Sequence, residues 1–133
     1  MIPPGDTCSA PDPGPSQDWK TYDLCNMSAS GFVSANCGGQ QDGTQRDLFL
    51  IFTLPEDLPE FHIYLEPWGP FMESPVMNVY VSHGDSCDDS DALGCFAPYN
   101  DNVIPGPLLA GTQIILSIYH PANECGPFQI GAW

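Results

Sequence analysis

The chain has 133 residues, with 17 Asp and Glu against two basic residues, Lys20 and Arg46, for a formal net charge of −15. Nucleic-acid backbones and anionic membrane surfaces recruit Lys and Arg, so this balance excludes both as partners. One domain of this length can bury a core, and 15 prolines, 13 glycines and six cysteines point to short strands and turns stapled by disulfides rather than to long helices.

Residues 1–18 (MIPPGDTCSAPDPGPSQD) form a Pro-rich arm, for which extended structure without regular pairing is expected. Met1-Ile2-Pro3-Pro4 lacks the basic start and apolar stretch of a signal peptide, so the chain reads as a mature sequence. Residues 19–133 read as one β domain. Short strands are expected at 21–27 and 31–35. Residues 47–54, DLFLIFTL, are nearly all apolar, as a strand buried on both faces would be. An acidic, proline-bearing turn at 56–60 follows. Residues 61–66 alternate, with Phe61, Ile63 and Leu65 opposite His62, Tyr64 and Glu66. Residues 76–82 and 113–119 alternate in the same way, and 127–130 closes the chain. No helical period is sustained. Frequent turn signals between short strands define an all-β chain, a β-sandwich.

No apolar run reaches membrane-spanning length: residues 48–52 and 114–116 are strand-sized. The cysteines are too far apart for zinc-type C-x-x-C pairs, and His62, His83 and His120 are scattered. Six cysteines therefore indicate an oxidising, extracellular location.

From Asp47 onward the order of features resembles the bacterial pre-peptidase C-terminal (PPC-like) domain family. An Asp opens an aromatic-rich strand ending in Phe52-Thr53, and a core strand follows at 61–65. A Val-Tyr-Val strand at 79–81 leads into a Gly-x-x-Cys turn at 84–87. Then come Leu93-Gly94-Cys95, the stretch Asn100-Asp101-Asn102, the turn Ala110-Gly111-Thr112, and a closing Gly126-x-Phe128 strand. The early cysteines, Cys8 to Cys37, are similar to the family's opening segment. The resemblance implies a jelly-roll-like antiparallel sandwich, appended to secreted enzymes or adhesins and often calcium-bound. The chain departs from it in having no partner domain and a more acidic turn after Gly84.

Spacing permits a Cys87–Cys95 bond, and the resemblance supports it. Cys8, Cys25, Cys37 and Cys125 allow three pairings, among which spacing does not choose. Asp85, Asp88, Asp89 and Asp91 crowd into seven residues, an arrangement that fans into water or shares a hard cation. Asn100 and Asp101 offer a second set of oxygen ligands, which Asp42 or Asp47 could complete. The expected cofactor is calcium. Asn26-Met27-Ser28 is an N-glycosylation sequon. Trp19, Trp68 and Trp133, with Tyr64, Tyr80, Tyr99 and Tyr119, are candidates for a sugar-stacking platform. No G-x-S-x-G or H-E-x-x-H is present, so no catalytic machinery is expected.

Two functions are consistent with these features. The first is a non-catalytic, calcium-stabilised secreted structural subunit. It would self-assemble into an extracellular fibre or surface appendage as a homo-oligomer, through its N-terminal arm or strand edges. The alternative is a carbohydrate- or protein-binding accessory module of a secreted hydrolase or adhesin.

Overall fold

The computed structural model describes residues 11–13, 19–34, 41–67, 76–81, 92–96, 102–120 and 124–132. Their strands are β1 (Asp12–Pro13), β2 (Trp19–Asp23), β3 (Val33–Ser34), β4 (Gln41–Asp42), β5 (Asp47–Thr53), β6 (Leu58–Pro67), β7 (Val76–Val81), β8 (Ala92–Phe96), β9 (Asn102–Leu108), β10 (Gln113–Tyr119) and β11 (Pro127–Ala132). One sheet has the order β1-β5-β10-β7-β8 and the other β2-β11-β6-β9; β3 and β4 form a small hairpin. Pairing is antiparallel except where β1 runs parallel to β5. The result is a jelly-roll-like β-sandwich, as the sequence pattern and the family resemblance led one to expect.

Strand alternation builds the core between the sheets. Leu48, Leu50 and Phe52 on β5 meet Ile114, Leu116 and Ile118 on β10 from one side; Phe61, Ile63, Leu65, Phe128 and Ile130 face them from the other. Phe52 and Phe61 meet edge to face at 5.5 Å. Leu24, fully buried in a single 3-10 turn at Leu24–Asn26, plugs the end of the sandwich. That turn replaces the end of the strand expected at 21–27, because the Asp23 carboxylate accepts from the Cys25 N–H and caps it.

The other face of β5 explains its apolar run. Phe49, Tyr80 and Ile115 form a second cluster on the outer face of the five-stranded sheet. Phe32, just before β3, covers it, standing edge-on to Phe49 at 5.8 Å and to Tyr80 at 6.0 Å. β5 is thus buried on both faces, as its composition predicts.

Several strands depart from the sequence reading: β4 was not expected, and β6 begins at Leu58, inside the turn expected at 56–60, because Leu58 and Glu60 pair with Leu108 and Pro105 of β9. β1 lies within the arm that was expected not to pair: Asp12 and Pro13 stand opposite Leu50 and Ile51. A two-residue strand at a sheet edge asks little of the backbone, so proline does not forbid it. β9, where no strand was expected, contains Pro105, Gly106 and Pro107, yet it pairs with β6 as an edge strand. β8 is short and carries Gly94, and its register with β7 shifts between Val79 and Tyr80.

Candidate functional site

The outer face of the four-stranded sheet carries a different surface. Register places Trp19 of β2 opposite Gly131 of β11, and Gly131 opposite Tyr64 of β6. A Cβ at Gly131 would lie 3.1–3.2 Å from three adjacent carbons of the indole. Near-equal distances to three bonded ring atoms mean that the ring lies face-down over Gly131. One face of the indole rests on the sheet, and Trp19 is accordingly 49% exposed. Tyr64 stands beside it at 5.6 Å with its plane turned by 79°. The pair forms an aromatic floor with an aromatic wall.

Polar groups flank this corner. Two residues further along the strands, on the same face, Gln129 stands between Thr21 and Glu66, and its Nε2 donates to Glu66 Oε2 at 2.9 Å. On the other side of Tyr64, His62 Nε2 lies 3.4 Å from Glu60 Oε2. An apolar ring face beside an amide and carboxylates is suited to a ligand with one apolar face and a rim of hydroxyls. Of the seven aromatic candidates, Trp19 and Tyr64 share this surface. Tyr80 and Tyr119 are buried on the opposite sheet, while Trp68, Tyr99 and Trp133 lie outside the described residues. Gly131 was missed in the sequence; its signal is a glycine at an outward position of a strand, next to an aromatic on its neighbour.

A second polar concentration lies beneath the β3–β4 hairpin. Asp47, 2% exposed, accepts from the Ser30 N–H at 3.0 Å, from Ser30 Oγ at 2.6 Å and from Gln41 Nε2 at 3.3 Å. Gln41 also donates to Ser117 Oγ and accepts from Asn78 Nδ2. Asn78 and Tyr80 both reach Ser34. This hydrogen-bonded cluster fastens the hairpin to the sheet and is closed to solvent. Asp47, a candidate calcium ligand, is placed here, where its carboxylate serves serine and glutamine donors. The other candidate ligands, Asp85, Asp88, Asp89, Asp91, Asn100 and Asp101, lie outside the described residues. Asn102, next to them, donates through Nδ2 to the Ile63 carbonyl. Among the described residues, no group of three acidic, His or Cys side chains is placed to hold a metal.

Cys25 and Cys125 form a disulfide with their Cα atoms 4.9 Å apart, one of the bonds that spacing left open. Cys95 is also disulfide-bonded; its partner is one of Cys8, Cys37 and Cys87, which lie outside the described residues. The Cys95 sulfur sits 3.7 Å from Asn78 Oδ1, a packing contact, since a bridged sulfur has no proton to donate. Asn26 of the sequon is exposed at the end of the 3-10 turn. No described helix is long and apolar enough to cross a membrane.

Tyr119, at the end of β10, is fully buried, and its hydroxyl has no hydrogen-bond partner among the described residues. Burial pushes its pKa from 10.0 up to about 12. The sign of the pH effect follows: above pH 10 the unfolded chain releases this proton and the folded chain holds it. Stability is therefore complete below pH 10 and falls by about 2–3 kcal/mol as pH rises towards 12. Urea unfolding at about pH 9 and about pH 11 should show this fall in the parent protein and a shallower one in Tyr119→Phe. At neutral pH the same substitution should be nearly silent, because the deleted hydroxyl has no described partner.

No family model and no curated relative matches the chain. Among solved structures it is similar to the crystal structure of the Yersinia pseudotuberculosis-derived mitogen, with a TM-score of 0.51 and 9% identity over 88% of this chain and 86% of that one. Similarity at that identity concerns the fold.

Proposed function

We propose that this protein is a non-catalytic, secreted binding module that takes a neutral carbohydrate on the outer face of its four-stranded sheet. The observation that carries this reading is the half-exposed indole of Trp19 laid flat on Gly131, with Tyr64 as a wall and the Gln129–Glu66 pair alongside. A hexose ring would stack its C–H face on the indole while its hydroxyls meet the amide and carboxylate. The net charge of −15 and the presence of Glu60 and Glu66 at the site disfavour uronate or sulfated polymers, leaving neutral ones. The disulfides fit an oxidising compartment.

The strand edges favour this reading over the fibre subunit. Asp12 and Pro13 of the arm occupy the edge of β5 in their own domain. On β9, Pro105 and Pro107 offer no N–H to an incoming strand.

The test is a panel of neutral soluble polysaccharides (a glucan, a xylan and a mannan) with one polyuronate as the charged comparison, read by affinity electrophoresis and tryptophan fluorescence. Binding to at least one neutral polymer is expected, lost by roughly tenfold or more in Trp19→Ala. Gly131→Ala should give a similar loss with little change in stability, because the new methyl lifts the indole off the sheet. No retention on any neutral polymer, or undiminished binding by Trp19→Ala, would reject the site. Filaments in electron micrographs without glycan binding would restore the structural-subunit reading.

A further inference from the structure

Asn26-Met27-Ser28 is the one N-x-S/T triplet in the chain, and the aromatic platform does not use it. The fold holds it in the open. Leu24 is fully buried and anchors the 3-10 turn, while Asn26, the last residue of that turn, and Ser28 are exposed. The turn closes without the Asn26 side chain: the Asp23 carboxylate accepts from the Cys25 N–H, and the Met27 N–H donates to the Leu24 carbonyl at 3.1 Å. Among the described residues no hydrogen bond engages the Asn26 carboxamide. Met27 is extended, with φ −100° and ψ 157°, so the side chains before and after it leave the chain on the same side. An enzyme that reads the amide and the hydroxyl together meets both from one direction. A hollow of about 330 Å³ opens beside the triplet, lined by Cys25, Met27, Ser28, Ala29, Thr44 and Arg46, which leaves room for a first sugar residue.

We infer that Asn26 is the acceptor of an N-linked glycan in a secretory lumen that supplies a polyprenyl-diphosphate oligosaccharide. Asn26 Nδ2 bonds to C1 of the donor's terminal sugar. The bond from C1 to the diphosphate oxygen breaks, its electron pair leaves with the diphosphate, and the amide gives up one proton. Disulfide formation belongs to the same oxidising compartment. The Cys25–Cys125 bond cannot close until Cys125, separated from Cys25 by 100 positions, has been made, so the triplet meets the transfer enzyme before the disulfide stiffens its surroundings. The product also suits the folded state, because the modified side chain is exposed and holds nothing in place. Asn26 lies beyond the Asp23–Pro127 end of the β2–β11 ladder, whereas Trp19 and Gly131 stand at the other end. The attached glycan therefore leaves the indole uncovered, and the inference does not depend on what the platform binds.

Expression behind a cleavable leader in cultured eukaryotic cells tests it, read by intact mass and peptide mass spectrometry of the secreted, disulfide-bonded protein. A mass increase in hexose and N-acetylhexosamine units is expected on the peptide that contains Asn26. Asn26→Gln and Ser28→Ala should each abolish it, and Ser28→Thr, which keeps the hydroxyl, should retain it. An amidase that cleaves glycosylated asparagine should release the glycan from the folded protein without denaturant, leaving an aspartate in its place and the melting temperature unchanged. Secreted parent and Ser28→Thr proteins that both lack the mass increase would overturn the proposal. So would an increase that survives Asn26→Gln, or release of the glycan only after unfolding.

Discussion

Replacing Cys25 and Cys125 by alanine is expected to lower stability by about 4–5 kcal/mol, the largest effect of any change considered. The bond spans a sequence separation of 100, so it removes most of the unfolded chain's freedom, and loop entropy grows with loop length. Its position sharpens the effect. Among the described residues β2 is an edge strand whose one neighbour in the sheet is β11, and the disulfide joins the turn after β2 to the residues just before β11. A backbone bond from Leu24 N–H to the Gly126 carbonyl at 3.2 Å lies beside it. Without the covalent tie, β2 keeps its ladder but loses its anchor, and Trp19 goes with it. Denaturant unfolding of the double-alanine protein should show the loss in midpoint. Hydrogen exchange should localise early opening to residues 19–24. A midpoint shift under about 1 kcal/mol would show that the sheet alone holds β2.

The second large effect is expected from Asp47→Ala, at about 3–5 kcal/mol. Three described donors converge on this carboxylate: the Ser30 N–H, the Ser30 hydroxyl and the Gln41 amide. Truncation leaves the buried Gln41 amide and the part-buried Ser30 donors without this acceptor, and the cost of stranded donors exceeds the worth of the bonds removed. Asp47→Asn keeps one acceptor oxygen but turns an NH₂ towards donors, so a smaller loss of about 1–2 kcal/mol is expected. The defect should also have a local signature. With its latch released, the β3–β4 hairpin should lift from Phe49, Tyr80 and Ile115, raising binding of a hydrophobic dye and exchange at residues 30–34 and 41–46 before global unfolding. An alanine variant of parental stability would show that the carboxylate is dispensable to the hairpin.

The fold was legible where one physical signal dominated. Alternation of Phe61, Ile63 and Leu65, of Met77 and Val79, and of Ile114, Leu116 and Ile118 placed these residues on the core face. The nearly all-apolar run of β5 announced burial on both sides, although it did not say that Phe32 and the hairpin would supply the second cover. β9 was hidden because its local residues, Pro105-Gly106-Pro107, favour a turn, and pairing with β6 overrides that preference at a sheet edge. The candidate site was half legible. Aromatic residues flagged Trp19 and Tyr64, but composition could not separate them from Tyr80 and Tyr119, which long-range register buries. Gly131 carries no chemistry of its own, and its role exists only once β2 and β11 are paired. Asp47 was read as an oxygen ligand because the sequence does not reveal that Ser30 and Gln41 arrive at it from the hairpin.

The tie between Cys25 and Cys125 also decides how the molecule would carry mechanical load. Trp19 and Gly131 stand opposite each other at one end of the β2–β11 ladder, and Asp23 and Pro127 at the other. A pull entering before Trp19 and leaving after Ala132 would part these strands one rung at a time, the geometry that yields at low force. The parting would run into the disulfide a few residues in and stop. Residues 26–124, which include most of both hydrophobic clusters, lie inside the covalent loop and off the force path. The fold would thus behave as a short extensible link with a fixed stop, giving up the platform under tension and keeping its core.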